Sequence, residues 1–213
     1  MTFSRILQEK KECVMAEMAK RKATYDDLYS IPENMIGEII DAELIMTPRP
    51  SRKRAVVSSY LGGEVVPPYC HGRGGGPGGW IILDEPEIRL GENILVPDLA
   101  GWRKERFPGS EDTNWISVCP DWVCEVLSPG TLRVDRVMKM PLYGQYGVQH
   151  VWLIDPTGKT LDVFRLEARK WVVAGLFVEN DKVRAEPFQE IEIDLGSSLT
   201  VSKKLFCKFN NID

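Results

Sequence analysis

Two carboxylates in this chain stand where carboxylates are costly. Glu125 falls within DWVCEVLSP (121–129) and Asp98 within ILVPDLAGW (94–102), and both runs are otherwise largely apolar. A period of two sets Trp122, Cys124 and Val126 on one face of the first run, and Val123, Glu125 and Leu127 on the other. With apolar neighbours on both faces, this segment is expected to be a central strand covered from both sides. A carboxylate there is expensive to desolvate unless a cation or a strong donor meets it. A structural ion pair with Arg or Lys is one answer; a bound metal is the other. For Asp98 the plain alternative is a turn aspartate with a local hydrogen bond. Pro97 removes a ladder donor just before it, which predicts an edge or bulge that re-aims the next side chain. Two such acids in one sheet favour a shared cation site, and hard oxygen ligands suit magnesium or manganese.

A third element follows directly. After Ser128-Pro129 an amphipathic helix is expected over about Val134–Tyr146, and on it Asp135 and Lys139 are four residues apart, on one face. Taken alone this is an exposed i,i+4 salt bridge. Its interest lies in place, because the helix starts only a few residues after Glu125.

The elements that must hold these residues read as a mixed set. Thr24 caps a short helix that ends before Pro32. The segment IGEIIDAELIMTPRP (36–50) is two β-rich runs about Asp41-Ala42, a hairpin closed by Pro48 and Pro50. From Ser51 to about Val66 the period becomes helical, with Arg52, Lys53 and Arg54 in the first turn. The glycine loop HGRGGGPGGW (71–80) lacks the Lys-Ser/Thr and the following helix of a phosphate cradle, and reads as a connector. Strands are expected at Trp80–Leu83, Glu87–Leu90, Ile94–Trp102 and Asp121–Leu127. Beyond the Val134–Tyr146 helix they return at His150–Ile154, Thr160–Leu166 and Trp171–Phe177. This order predicts an α/β (α+β) domain around one central mixed β-sheet flanked by helices. Residues 1–22 read as an appended helix or a frayed tail, and 196–213 as a partly apolar C-terminal tail.

Composition sets the outer bounds. The chain has 213 residues, 43% hydrophobic and 27% charged, which suits one ordinary globular domain. No apolar run approaches the roughly 20 residues that span a bilayer, and the N-terminus does not read as a secretory signal. Cys13, Cys70, Cys119, Cys124 and Cys207 are scattered and odd in number, without CxxC spacing, which favours a reducing, cytoplasmic compartment. A net charge of −4 argues against an extended basic face for nucleic acid, though not against a local groove.

The succession I-G-E-I-I-D-A-E-L, V-P-D-L-A-G-W-R, D-W-V-C-E-V-L-S-P-G-T, D-R-V-M-K-M-P-L-Y and G-V-Q-H-V-W-L-I-D-P resembles the Uma-two family over residues 23–195. That is a bacterial group assigned as endonucleases, with the PD-(D/E)XK restriction-endonuclease-like core. The resemblance implies a metal-dependent hydrolase acting on phosphodiester bonds of nucleic acid, with DNA the expected substrate and magnesium (or manganese) the cofactor. Asp98 takes the place of the motif Asp and Glu125 that of the motif Glu, the two metal ligands. The usual motif lysine position holds Leu127, so the lysine is expected on the next helix as Lys139, with Asp135 beside it. Glu38 corresponds to the acid of the family's first strand. Arg54 stands where relatives often carry His, and Gly130 where a small hydroxyl residue is common. Arg52, Lys53, Arg54 and Arg133 are candidates for phosphate contacts. A homodimer is implied too, since cutting two strands takes two sites. The alternative is a catalytically inactive nuclease-fold protein that acts in binding, or through its termini in protein interaction.

Overall fold

The computed structural model describes residues 21–109 and 113–199. The N-terminal helix expected over 1–22 falls almost wholly outside these residues, as does most of the 196–213 tail. The chain opens with α1 (Tyr25–Leu28), where Thr24 and Asp27 form a reciprocal capping box. The hairpin follows as β1 (Met35–Ile40) and β2 (Glu43–Pro48), paired antiparallel. Asp41 and Ala42 both take positive φ, the backbone that a tight two-residue hairpin turn demands. Ser51 caps α2 (Arg52–His71), which runs on through Pro67 and Pro68 to a left-handed Gly72. The helix is thus longer than the periodicity indicated.

β3 (Trp80–Asp84), β4 (Ile88–Leu90), β5 (Asn93–Leu95) and β6 (Leu99–Arg103) come next, then β7 (Trp122–Val126). A π-helical turn over Val134–Lys139 leads into α3 (Met140–Tyr146). The chain continues through β8 (His150–Asp155), β9 (Thr160–Glu167) and β10 (Lys170–Val178), then β11 (Lys182–Val183), β12 (Ile193–Asp194) and α4 (Leu195–Leu199).

The central sheet has six strands in the order β10-β9-β8-β7-β6-β3. It is mixed: β7 and β8 run parallel and the other neighbours antiparallel. Beside it lies a four-stranded antiparallel sheet, β2-β1-β5-β4, that one-sheet reasoning did not foresee. The two meet at Val96-Pro97-Asp98. The run 94–102, expected as one strand, is broken there, so β5 belongs to the small sheet and β6 to the large one. Proline cannot donate to a central ladder, and the break it makes sets Asp98 at the junction.

β7 is buried along its whole length, and its alternation holds as read. Trp122, Cys124 and Val126 pack with Val57, Leu61, Val65 and Tyr69 of α2 and with Trp80, Trp152 and Phe188. Val123 and Leu127 pack on the opposite face with Ile40, Trp102, Leu142, Tyr143 and Leu153. Leu195 and Leu199 sit in the first of these cores, so the packed domain continues past residue 195. Among the described residues no helix is long and apolar enough to cross a membrane.

Candidate active site

Lys139 organises the site. Its side chain is only 2% exposed, and its ammonium lies 2.8 Å from Glu125 Oε1 and 2.9 Å from Glu38 Oε1. It also donates to the carbonyl of Val96 at 3.3 Å, which uses its three N–H bonds. Asp135, one turn earlier on the same segment, stands farther off at 3.8 Å. The expected i,i+4 pair therefore exists, but it is buried and is the weakest of the lysine's three carboxylate contacts. The π-helical turn carries both residues, and both are buried.

Each carboxylate is held by a different part of the fold. Glu38 projects from β1, and its Oε1 also accepts the backbone N–H of Val96 at 2.8 Å, which ties the small sheet to the junction. Glu125 projects from β7, where Tyr143 of α3 donates its hydroxyl to Oε1 at 2.6 Å. Asp98 at the junction accepts the N–H of Val126 at 2.7 Å and Nη2 of Arg54 at 2.8 Å through the same oxygen, Oδ2. The four acids Glu38, Asp98, Glu125 and Asp135 and the two cations Arg54 and Lys139 are all buried. The structure thus brings together all five residues singled out from sequence, and adds Arg54 and Tyr143.

Two outcomes qualify the expectations. The plain reading of Glu125 as half of a buried ion pair is realised, with Lys139 as partner. Arg54 is not a free phosphate contact: it is buried against Asp98, whereas Arg52, Lys53 and Arg133 are exposed. Tyr143 lies four residues after Lys139 within the expected helix, and that spacing was the signal that could have found it. No sequence signal pairs Arg54 with Asp98, because the contact joins α2 to the sheet junction.

The electrostatics follow from this count. Four acids against two cations leave an excess of two negative charges when all are ionised. Burial, acting against the attraction of Lys139, pushes the Glu125 carboxyl up to about 8. Burial likewise raises Asp135. The Lys139 ammonium moves the other way: burial disfavours its charge, but Glu125, Glu38 and Asp135 outweigh that and hold it protonated. Glu125 Oε2 and Asp135 Oδ2 are buried without a hydrogen-bond partner. A cavity of about 110 Å³, lined by Ser58, Ser59, Asp84, Glu85 and Asp98 among others, reaches Asp98 from outside. Its three acids suit entry of a cation.

Among the described residues, no three or more His, Cys, Asp or Glu side chains are disposed to hold a metal ion. The unpartnered oxygens of the cluster are Glu125 Oε2 and Asp135 Oδ2, whereas Asp98 Oδ2 is taken by Arg54 and Val126. Two carboxylates are enough for magnesium, which keeps several waters and takes the rest of its shell from substrate phosphate.

No curated protein matches the chain. Among solved structures, a putative nuclease of DUF820 from Anabaena variabilis ATCC 29413 superposes with a TM-score of 0.68. It is 24% identical, and the match covers 84% of this chain and 99% of that one, so the two share a fold. The family model "Uma2: Putative restriction endonuclease" matches residues 23–201. The chain belongs to that family.

Proposed function

We propose that the buried cluster is the active centre of a metal-dependent nuclease that hydrolyses phosphodiester bonds of nucleic acid, with DNA as substrate. The observation that carries this reading is the pairing of a lysine, closed in on by three carboxylates, with a buried glutamate oxygen that nothing satisfies. An orphaned carboxyl oxygen costs free energy in a core unless a ligand meets it. Asp98 and Glu125 would hold magnesium or manganese, which neutralises charge on the scissile phosphate and lowers the pKa of an attacking water.

The chain's own groups do the rest. Lys139 would steady charge that develops on the phosphate oxygens, and would orient the water only by giving up one of its three N–H bonds. Glu38 and Asp135 keep the lysine protonated and fix its amine, and Tyr143 fixes Glu125. Exposed Arg52, Lys53 and Arg133 are available for the backbone of the nucleic acid. Family membership supports the same reading.

One observation favours a second reading, a nuclease fold kept for binding. Arg54 already satisfies the Asp98 oxygen that a metal would use, and Lys139 is nearly closed off from solvent. Purified protein incubated with plasmid and single-stranded DNA in magnesium or manganese, beside Glu125→Ala and Asp98→Asn, separates the two. Cleavage by the unmodified chain alone supports the active centre. Absent cleavage together with absent manganese binding supports the second reading. Equal cleavage by all three overturns the assignment of both acids.

A further inference from the structure

Strand β10 closes one edge of the central sheet and is unusual for an edge. It pairs with β9 alone, so its outer row of backbone N–H and C=O groups faces no other strand among the described residues, although at its end Asp181 already takes both groups of Val178. Edge strands of that length are normally guarded by charge, proline or a bulge. Here the eight residues Trp171–Val178 carry no charge and no proline, and the bulge at Ala174 is their one guard. Val173, Leu176 and Val178 are 53%, 67% and 53% exposed. Their partners across the ladder are Phe164, Asp162 and Thr160, alternate residues of β9, so the three aliphatics share one sheet face. An apolar stripe on a free edge is a surface built to be covered.

The charges at its two ends say by what. Arg169 and Lys170 stand at the start and Glu179 just past the end, beyond which Asp181 accepts the Val178 N–H and Lys182 pairs with Asp194. Glu179 makes only a loose, exposed pair with Lys159 at 3.7 Å. A strand that is basic at one end, acidic at the other and apolar between is complementary to itself run antiparallel. The bulge at Ala174 divides it into halves, Lys170–Val173 and Gly175–Val178. A two-fold axis there sets each half against the opposite half of a second copy.

From this we infer that the β10 edge is a self-association surface, on which two copies of this chain pair antiparallel and extend the six-stranded sheet across a two-fold axis. The arrangement is isologous, so each contact occurs twice. It leaves the Lys139 cluster of both copies intact and holds whether or not that cluster cleaves nucleic acid.

The test is the mass of the full chain by sedimentation velocity across micromolar concentrations. Twice the 24.1 kDa chain mass is expected. Leu176→Lys and, separately, Val178→Lys should each yield a monomer that still unfolds cooperatively, both positions being largely exposed. Lys170→Glu and Glu179→Lys should each weaken the dimer roughly tenfold, and the double reversal should restore it. A monomeric unmodified chain, or a dimer indifferent to Leu176→Lys, overturns the inference. Single reversals that weaken the dimer without recovery in the double variant overturn the antiparallel pairing.

Discussion

Tyr143 and Lys139 close on the same oxygen of Glu125, at 2.6 and 2.8 Å, and leave the other carboxylate oxygen without a partner. Both clamps come from one stretch of chain, four residues apart, where the π-helical turn passes into α3. Their joint effect is to fix the rotation of the carboxylate, so that Oε2 has one direction. A carboxylate meant only to neutralise a lysine has no need of a second clamp on the oxygen the lysine already holds.

Tyr143→Phe tests that division of labour. The ring remains packed among Trp102, Leu142 and Leu153, so the core is kept. One hydrogen bond to a charged group is lost, worth about 1.5–3 kcal/mol. The expected outcome is a folded protein of lower melting temperature with weaker manganese affinity by calorimetry. Unchanged manganese affinity in a folded variant, beside clear binding by the unmodified chain, would show that the tyrosine serves packing alone.

Lys139→Met should behave very differently. Methionine matches the stem of lysine but leaves Glu38 and Glu125 facing each other in a dry site. Breaking a buried pair by removing one partner costs about 3–5 kcal/mol. Part of that loss should be recovered by manganese, because a divalent cation answers the uncovered charge. Thermal melts with and without the ion would reveal it. A variant as stable as the unmodified chain would mean that the lysine is dispensable to the cluster.

The Glu125 carboxyl carries a signed pH dependence. Its folded value is raised by burial from 4.5 to about 8, so between those values the folded state holds a proton that the unfolded state has released. Stability from this group is therefore full below about 4.5 and falls as pH rises towards 8. Glu125→Gln cannot titrate. The expectation for metal-free protein is a melting temperature that declines from pH 5 to 8 in the unmodified chain more steeply than in the glutamine variant. Parallel profiles would place the proton on another group, Asp135 being raised in the same direction.

What could be read from sequence divides along physical lines. The alternation of β7, the hairpin turn at Asp41-Ala42 and the inward aim of Asp98 after Pro97 are local facts, set by period, turn chemistry and a missing donor. Glu125 declared itself because a charge on a doubly covered strand demands a reason. The break that sends β5 and β6 to different sheets was only half visible: Pro97 announced an irregularity but not which sheet each side would join. The burial of Lys139 was not legible, because an acid and a base four residues apart on an amphipathic helix read equally well as a solvated pair. The pairing of Arg54 with Asp98 spans 44 residues and two elements, and nothing at either position announces it.

That last pair yields the final prediction. On the proposed reading a metal ion would compete with Arg54 for one oxygen of Asp98, since Nη2 already lies 2.8 Å from Oδ2. Attraction to Asp98 first, and to Asp135 and Glu125 after it, outweighs the burial that opposes the guanidinium charge, so Arg54 stays protonated and cannot yield by losing a proton. It must move aside instead, and the free energy of that move is subtracted from metal affinity. Removing it with Arg54→Ala therefore has two opposed effects. Without metal the protein loses about 3–5 kcal/mol, because Asp98 keeps only the Val126 N–H as a donor. With metal, manganese should bind more tightly than to the unmodified chain and raise the melting temperature by more. Calorimetry and thermal melts across a manganese series measure both. Weaker manganese binding in a folded Arg54→Ala protein would instead make the arginine a support that aims Asp98 at the metal.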